Sequence, residues 1–516
     1  MHNVQKQKTG IVVAGLLLAI LMASMDNTIM ATAMGTIIGE LGGLDKFVWV
    51  TSAYMVAEMA GMPIFGKLSD MYGRKRFFVF GIIVFMFGSV LCGTAGSIVQ
   101  LSIFRAIQGI GAGALVPITF TIMMDAVAPE NRGKLGGLFG AVFGMSSIFG
   151  PLLGAYFTDH LHWVWIFYIN LPLGVIALAM IAFFYKESLE HSKQRIDGWG
   201  AISLIGAVIC LMFALELGGK QFAWSSLPIL GMFVGFVLFA ICFIIAEKRA
   251  EEPIISFAMF KNRLYASSNA LALFSGAAFI TASVYIPIFI QGVLGGSATN
   301  AGLVLLPMML GSVVTATAGG AFMTRLPYRT IMIPTLVLLA GGLALLTTLT
   351  PGSSRLTITI YMIMVGLGIG ASFSVLSNAA IHGLPMRQRG SASSTLNFLR
   401  SLGMTLGITV FGIIQNHSLT NKLTEAFAQS GGQAAMPSGI DFSDPHALLD
   451  PVSRAHIPES ALRLITEGLS SSIVFTFALG LIPAFCALAA AFMMSREKLD
   501  PQAESRQFEA ARESSV

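Results

Sequence analysis

Long apolar runs alternate with short polar stretches along nearly the whole chain. A helix needs about 20 consecutive apolar residues to cross a hydrocarbon core about 30 Å thick, and the runs have this length. We interpret each run as one membrane-spanning helix and count fourteen of them. They lie at about 11–33, 47–66, 77–96, 100–123, 135–157, 163–185, 199–218, 227–246, 268–291, 300–322, 331–350, 356–380, 394–414 and 470–494.

The composition agrees with a polytopic helical membrane protein. The 516 residues are 55% hydrophobic and only 11% charged, whereas soluble proteins carry roughly 25% charged residues. The four cysteines fall inside apolar runs, so we interpret them as packing residues. His160 and His162 have no cluster of acidic or cysteine partners, and we predict no metal site. The net charge of +5 does not indicate a nucleic-acid partner.

Lysine and arginine are distributed unequally between the two sets of connections. If the N-terminus is cytoplasmic, most of the 31 Lys and Arg residues fall on the inner side. Only Arg105 and Arg400 fall within spans. Positively charged connections stay on the cytoplasmic side of a membrane. We therefore predict a multi-pass protein of the plasma membrane with both termini in the cytoplasm.

Two parts of the chain share a pattern of glycines. One shift along the chain superposes Gly109, Gly111 and Gly113 on Gly366, Gly368 and Gly370, Arg132 on Arg389, and Gly150 on Gly407. Paired halves around a central cavity are typical of transporters. We predict two six-helix bundles, 1–198 and 247–516, with two inserted helices at 199–246 and a long extracellular loop at about 416–468.

The charges do not follow this repeat. Arg105 corresponds to Met362, and Asp70 corresponds to Thr324. Pro151 corresponds to an isoleucine. We therefore expect coupling and gating chemistry mainly in the first half.

Four motifs carry a resemblance to a known family. They are "GKLSDMYGRKR" at 66–76, "RAIQGIGAG" from Arg105, "GMSSIFGPLLGA" at 144–155 and "MDNTIMATAM" at 25–34. The chain resembles the major facilitator superfamily, and within it the fourteen-helix drug:proton antiporters. The resemblance implies the major facilitator fold and proton-coupled export by alternating access. It is weak on the identity of the substrate.

Asp26 and Arg105 are predicted to lie at a similar depth in the outer half of the bilayer. Charges at mid-membrane usually face a cavity and a partner. We expect the two side chains to face one polar cavity and to influence each other's charge. A fixed structural pair is the alternative. Arginine does not lose its proton, so Asp26 would be the member that titrates.

Glu58 and Arg400 are two further candidates for the cavity. Glu58 lies near the middle of its helix, where the family commonly has an apolar residue. A protonated carboxyl is tolerable there, and a deprotonated one attracts a cation, which is the alternation that proton–drug exchange requires. A protonated side chain bonded to a neighbouring helix is the alternative. Arg400 could line the cavity or extend toward the inner surface.

The stretch 66–76 is predicted to be a gating latch, built from Gly66, Asp70, Gly73 and Arg74. The glycines would let the second and third helices approach and turn, and the cations would hold the loop at anionic lipid. The resemblance places Asp70 at the N-terminal end of the thirteenth helix, near 391–395. A helix N-terminus stabilises a nearby anion by about 0.3–2 kcal/mol. A loop that is charged only for topology is the alternative.

In the fifth helix, Gly144, Gly150 and Gly154 predict close packing, and Pro151 predicts a kink. The resemblance implies that this helix contacts the helix at 300–322 and prevents leak between the halves. A packing role without coupling is the alternative.

We expect a transporter and not an enzyme, because no nucleotide-binding motif, metal cluster or filter loop is found. The predicted substrates are lipophilic, often cationic, drugs or toxic compounds, exported in exchange for protons. A specific endogenous solute such as a lipid, peptide or antibiotic is the alternative. The other predicted partners are membrane lipids, with the proton gradient in place of a cofactor and with the monomer as the functional unit.

Overall fold

The computed structural model describes residues 2–42, 48–127, 132–187, 197–219, 221–296, 298–429 and 458–500. The helices of the first half are α1 (His2–Leu41), α2 (Val48–Tyr72), α3 (Arg74–Gly93), α4 (Ile98–Ala126), α5 (Arg132–His160), α6 (Trp165–Tyr168) and α7 (Asn170–Phe184). Then follow α8 (Gly198–Leu217), α9 (Leu227–Arg249), α10 (Arg263–Ile288), α11 (Ala298–Phe322), α12 (Tyr328–Leu346), α13 (Arg355–Ile381), α14 (Met386–Gln429) and α15 (Glu459–Met493). A 3₁₀ turn at Met259–Lys261 precedes α10, and a π-helical segment at Phe289–Val293 follows it.

The described parts of the chain contain fourteen long helical segments when the adjoining α6 and α7 are counted as one. Each of them overlaps one of the fourteen predicted spans. Twelve have the length and composition needed to cross a membrane. The other two, α2 and α5, are 25 and 29 residues long. The all-helical fold is therefore the predicted one.

The predicted loop at 416–468 is wrong at both ends. Helix α14 continues to Gln429 and α15 already begins at Glu459, while the middle of the predicted loop lies outside the described residues. Apolar side chains recur at helical spacing in both extensions: Leu419 and Leu423 in α14, and Ile465 and Leu469 in α15, are all buried. Such an amphipathic stretch is too polar on average to be found by a search for continuous apolar runs.

The repeated glycines have the same packing role in both halves. A methyl group at Gly109 would meet the Tyr54 carbonyl oxygen of α2, and one at Gly366 would meet the Met308 carbonyl oxygen of α11. The intervening glycines, Gly111 and Gly368, instead approach α3 and α12. Helix α4 therefore packs closely on α2 and α3, and α13 packs in the same way on α11 and α12. In both cases glycine is needed, because only a residue without a side chain permits backbones to come this close.

The two halves meet through α2 with α14 and through α5 with α11. We call α8 and α9, which lie between the two halves in the chain, the inserted hairpin. It packs on α2 through α8. Trp49 of α2 lies 4.8 Å from Phe213 of α8, measured between ring centroids. Only Ile229 and Glu247 of α9 are buried, so its apolar surface faces outward, as expected of a helix in lipid.

Candidate functional site

A buried network of polar side chains lies inside the first half. Asp26 is 1% exposed and pairs with Arg105, which is fully buried. The Asp26 carboxylate also accepts hydrogen bonds of 2.8 Å from the Gln108 and Asn170 side-chain amides. The Gln108 amide donates to Ser89 as well, at 2.8 Å. The predicted proximity of Asp26 and Arg105 is therefore found, within a larger network that α1, α3, α4 and α7 build.

The cation of this network is also covered by an aromatic ring. The Arg105 guanidinium carbon lies 4.1 Å from the centroid of the Tyr54 ring, and a ring face attracts a cation. Its Nη1 donates to the side-chain amide oxygen of Gln108 at 2.7 Å. Its Nε and Nη2 have no hydrogen-bond partner among the residues that the structure describes. The charge of Arg105 is thus balanced by Asp26, but part of its donor capacity is unused.

Glu58 lies one helical turn after Tyr54 on α2, beside the network. Its side chain is half-buried, and the Asn27 amide lies within hydrogen-bonding reach of its carboxyl. Asp26 and Arg105 are both near enough to act on it electrostatically. The structure therefore brings together the three candidates Asp26, Glu58 and Arg105.

Arg400 does not join this group. It is 8% exposed and lies inside the second half, where Nη2 donates to the Ser372 carbonyl at 3.0 Å. Nη1 donates to Asn397 at 3.3 Å, and the guanidinium lies 5.0 Å from the Phe373 ring centroid. No carboxylate of the described residues forms an ion pair with it. Arg400 is thus a buried cation held by neutral groups and a ring, and it does not extend to the surface.

We call the end of the bundle that carries residues 66–76 the basic face. There Asp70 of α2 accepts hydrogen bonds from the backbone N–H groups of Gly390, at 2.9 Å, and Ser391, at 2.7 Å. Arg74 donates to Asp70 at 3.1 Å and to the Met386 carbonyl at 2.6 Å. The first half is therefore bonded to the start of α14, as predicted for Asp70, and the halves are joined at the basic face.

Two charged residues complete this contact. The Asp125 carboxylate, at the end of α4, pairs with Arg74 and lies 3.7 Å from the Arg389 guanidinium of α14. We call Asp70, Arg74, Asp125 and Arg389 the latch cluster. The sequence analysis missed Asp125. Its signal was a carboxylate at the predicted inner end of a helix whose other charged residue is Arg105.

Several details of the predicted latch are wrong. Gly66 permits the approach of α14, since a methyl group there would meet Ser394, and not the approach of α3. Gly73 does make the predicted turn, with φ of 109°. Lys67 pairs with Glu252 at 2.5 Å, and Lys75 donates to carbonyl groups at the end of α7. These cations therefore have protein partners, whereas Arg76 is exposed, and their contact with lipid stays a prediction.

Helix α5 contacts both halves. A methyl group at Gly144 would touch Met309 of α11, which is the helix named by the resemblance. Gly150 and Gly154 instead lie against Thr28 and Ile29 of α1. Close packing is therefore found at all three glycines, and of the three Gly144 is the one that lies against α11. Pro151 lies in the interior of α5, and the kink stays a prediction.

Sequence reasoning also missed Ser89, Gln108 and Asn170. Gln108 follows Arg105 by one helical turn, so its position on the same face of α4 could have been inferred from the helical period. Ser89 and Asn170 lie in helices that are distant along the chain, and only the packing of α3 and α7 brings them to Asp26.

Comparison with known proteins decides the family. The sequence pattern of the Major Facilitator Superfamily matches residues 16–408. The chain belongs to this superfamily. It is 52% identical over 500 residues to Multidrug resistance protein 3 of Bacillus subtilis, covering 97% of this chain and 98% of the relative. It is 34% identical over 533 residues to the Multidrug transporter protein MdtP of the same organism, covering 99% and 98%.

Solved structures agree with the fold. The human organic anion transporter MFSD10 superposes with a TM-score of 0.57 at 16% identity, covering 94% of this chain and 99% of that one. The proton:xylose symporter XylE superposes with a TM-score of 0.57 at 13% identity, covering 93% and 95%. At these identities the likeness shows the fold alone. The protein is a multi-pass membrane transporter and not an enzyme.

Proposed function

We propose that the protein is a proton-coupled antiporter that exports lipophilic, often cationic, compounds, with its basic face in the cytoplasm. A relative that is 52% identical over nearly its whole length is named a multidrug resistance protein. The observation that carries the proposal is the Glu58 carboxyl, half-buried beside the Asp26–Arg105 pair.

Of the two carboxyls, Asp26 and Glu58, Glu58 is better suited to bind a proton and a drug alternately. Protonating Asp26 would break its buried pair with Arg105, and breaking such pairs costs about 3–5 kcal/mol. Glu58 forms no ion pair among the described residues, so it gains a proton without that loss. Asp26 and Arg105 then set the local field and hold α1 against α4.

The latch cluster supplies the gate of the cycle. With the basic face closed, the central site opens to the opposite side, where a proton binds Glu58 and releases the cationic compound. Opening of the basic face then lets the proton leave and a new compound bind. Each pH unit supplies about 1.4 kcal/mol, and each net charge moved adds about 2.3 kcal/mol per 100 mV.

Transport in proteoliposomes tests the proposal. A cationic fluorescent dye serves as the substrate, and an entrapped pH indicator reports protons. The wild type accumulates dye against its gradient when a pH gradient is imposed, and protons move in the opposite direction. Glu58→Gln is expected to lose the uphill component while still moving dye down its gradient, because a neutral amide cannot exchange a proton.

Glu216→Gln is the matched control. Glu216 is another half-buried carboxyl in a membrane helix, at the far end of α8 from the basic face, and its replacement should preserve uphill transport. Full proton-coupled accumulation by Glu58→Gln would reject Glu58 as the exchange site. A wild type that moves no dye or drug from a chemically varied panel would instead favour export of a specific endogenous solute.

A further inference from the structure

The inserted hairpin ends in a connector that runs into the second half. Helix α9 ends at Arg249 and α10 begins at Arg263, so the short stretch between them links the hairpin to the second bundle. The residues 250–256 of this stretch form no regular helix. Their position is fixed by contacts with three different elements, all near the basic face.

The first contact joins the connector to the first half. The Glu252 carboxylate lies 2.5 Å from the Lys67 ammonium of α2, one turn before Asp70. Because the Lys67 side chain is only 10% exposed, the pair is partly shielded from water, and such pairs are screened less by salt than exposed ones.

The second contact joins the connector to the second half. The Ser391 hydroxyl donates to the Ile254 carbonyl at 2.7 Å, while the Ser391 backbone N–H donates to Asp70. One residue of α14 therefore holds both the latch cluster and the connector.

The third contact fixes the connector to its own hairpin. Glu247, 4% exposed near the end of α9, accepts hydrogen bonds from the backbone N–H groups of Ile254, at 3.1 Å, and Ile255, at 3.3 Å. Ile254 and Ile255 are buried in one apolar cluster with residues of α2 and α8 and with Phe398 of α14. Both backbone polar groups of Ile254 are thus bonded, one to the hairpin and one to α14.

From these contacts we propose that the connector 250–256 is a strap across the gate, and that Glu252 and Glu247 are positioning residues of the closed basic face. Separation of α2 from α14 carries Lys67 and Ser391 apart. The connector cannot stay in contact with both residues, so either the Glu252–Lys67 ion pair or the hydrogen bond from Ser391 to the Ile254 carbonyl breaks. The strap therefore stabilises the closed state, which gives the inserted hairpin a part in gating.

The test measures the distance between the halves at the basic face. Spin labels at Arg76 and Gln388, exposed residues on either side, report it in lipid nanodiscs without substrate. Glu252→Lys places a second ammonium beside Lys67, and we expect the ratio of open to closed molecules to rise about five- to tenfold. The exchanged pair Lys67→Glu with Glu252→Lys restores the attraction and should return the ratio toward that of the wild type.

Glu251→Lys is the control. It makes the same charge change one residue earlier, at an exposed side chain that forms no hydrogen bond or ion pair with any of the described residues, and it should leave the ratio unchanged. Glu247→Ala frees the Ile254 and Ile255 N–H groups, and it should open the face by releasing the connector from α9. Thermal denaturation of each variant identifies any that fail to fold.

Two results would overturn the strap. One is a ratio of open to closed molecules that is the same for Glu252→Lys and Glu251→Lys. The other is an exchanged pair that opens as far as Glu252→Lys, since the two residues would then act independently. In transport, Glu252→Lys should lower turnover and leave KM unchanged. The distance measurement needs no substrate, so it stands even if the proposed drug export fails.

Discussion

Arg105 of α4 and Met362 of α13 occupy corresponding positions in the two halves, but their surroundings are opposite. Arg105 is bound to Asp26 and Gln108, whereas Met362 is fully buried in an apolar cluster. The glycines that follow each of them nevertheless make the same contacts with neighbouring helices. The glycines therefore belong to the packing that both halves need, whereas the Asp26–Arg105 pair has no counterpart at this position of the second half.

The second half has a buried cation of its own, but it is held differently. Removing Arg105 would leave the Asp26 carboxylate without its cation in a low-dielectric interior. Removing Arg400 would leave only neutral acceptors, Asn397 and the Ser372 carbonyl, without a donor. Because an orphaned charge is far more costly than an orphaned neutral group, the two arginines should respond very differently to substitution.

The largest effect is expected for Arg105→Gln. It should destabilise the protein by about 3–5 kcal/mol, as breaking a buried ion pair does, and it should abolish export. Thermal denaturation in detergent and dye transport measure the two effects. Met362→Leu, at the equivalent position, is the control and should cost less than about 1.5 kcal/mol. Similar losses for both substitutions would remove the contrast between the halves.

Asp70→Asn should weaken the latch without unfolding the protein. Hydrogen bonds to a charged group contribute about 1.5–3 kcal/mol, and here they join α2 to α14, so their loss favours opening at the basic face. Transport should fall while expression and membrane insertion stay at wild-type levels. Thr324→Ala, at the corresponding position of the second half, should transport normally. Normal transport by Asp70→Asn would contradict the latch.

Gly109→Ala and Gly366→Ala test the shared packing. Each added methyl group would meet a carbonyl oxygen of the adjacent helix, and overpacking of this kind costs about 1–3 kcal/mol. We expect equal losses in thermal stability for the two variants. Gly231→Ala, where a methyl group meets nothing within 4 Å, is the control. Tolerance of one substitution and not the other would show that the halves are packed differently.

The smallest effect is expected for Arg400→Gln. Its hydrogen bonds join a charged donor to neutral acceptors, and such bonds contribute about 1.5–3 kcal/mol each. Removing the buried cation also removes its desolvation cost, and no carboxylate is left unpaired. Export of cationic dyes should stay near the wild-type rate, because Arg400 lies apart from Glu58 and Asp26. A loss of stability as large as that of Arg105→Gln would reveal a counter-charge to Arg400.

The sequence by itself determined the helices, the superfamily and several contacts. Membrane helices can be recognised in a sequence because each must be apolar over a fixed length and must form its backbone hydrogen bonds internally. The place of Asp70 at the start of α14 followed from the family resemblance. The closeness of Asp26 and Arg105 followed from the cost of an unpaired charge in the membrane.

Only the tertiary structure decided which distant side chains complete each site. Ser89 and Asn170 reach Asp26, Asp125 reaches Arg74 and Arg389, and Glu252 reaches Lys67, although nothing in the local sequence pairs them. The local pattern records whether a residue is polar and where it falls on its helix. Which face of one helix packs on which face of another depends on side-chain shapes summed over the whole bundle, and that sum is settled only in the folded chain.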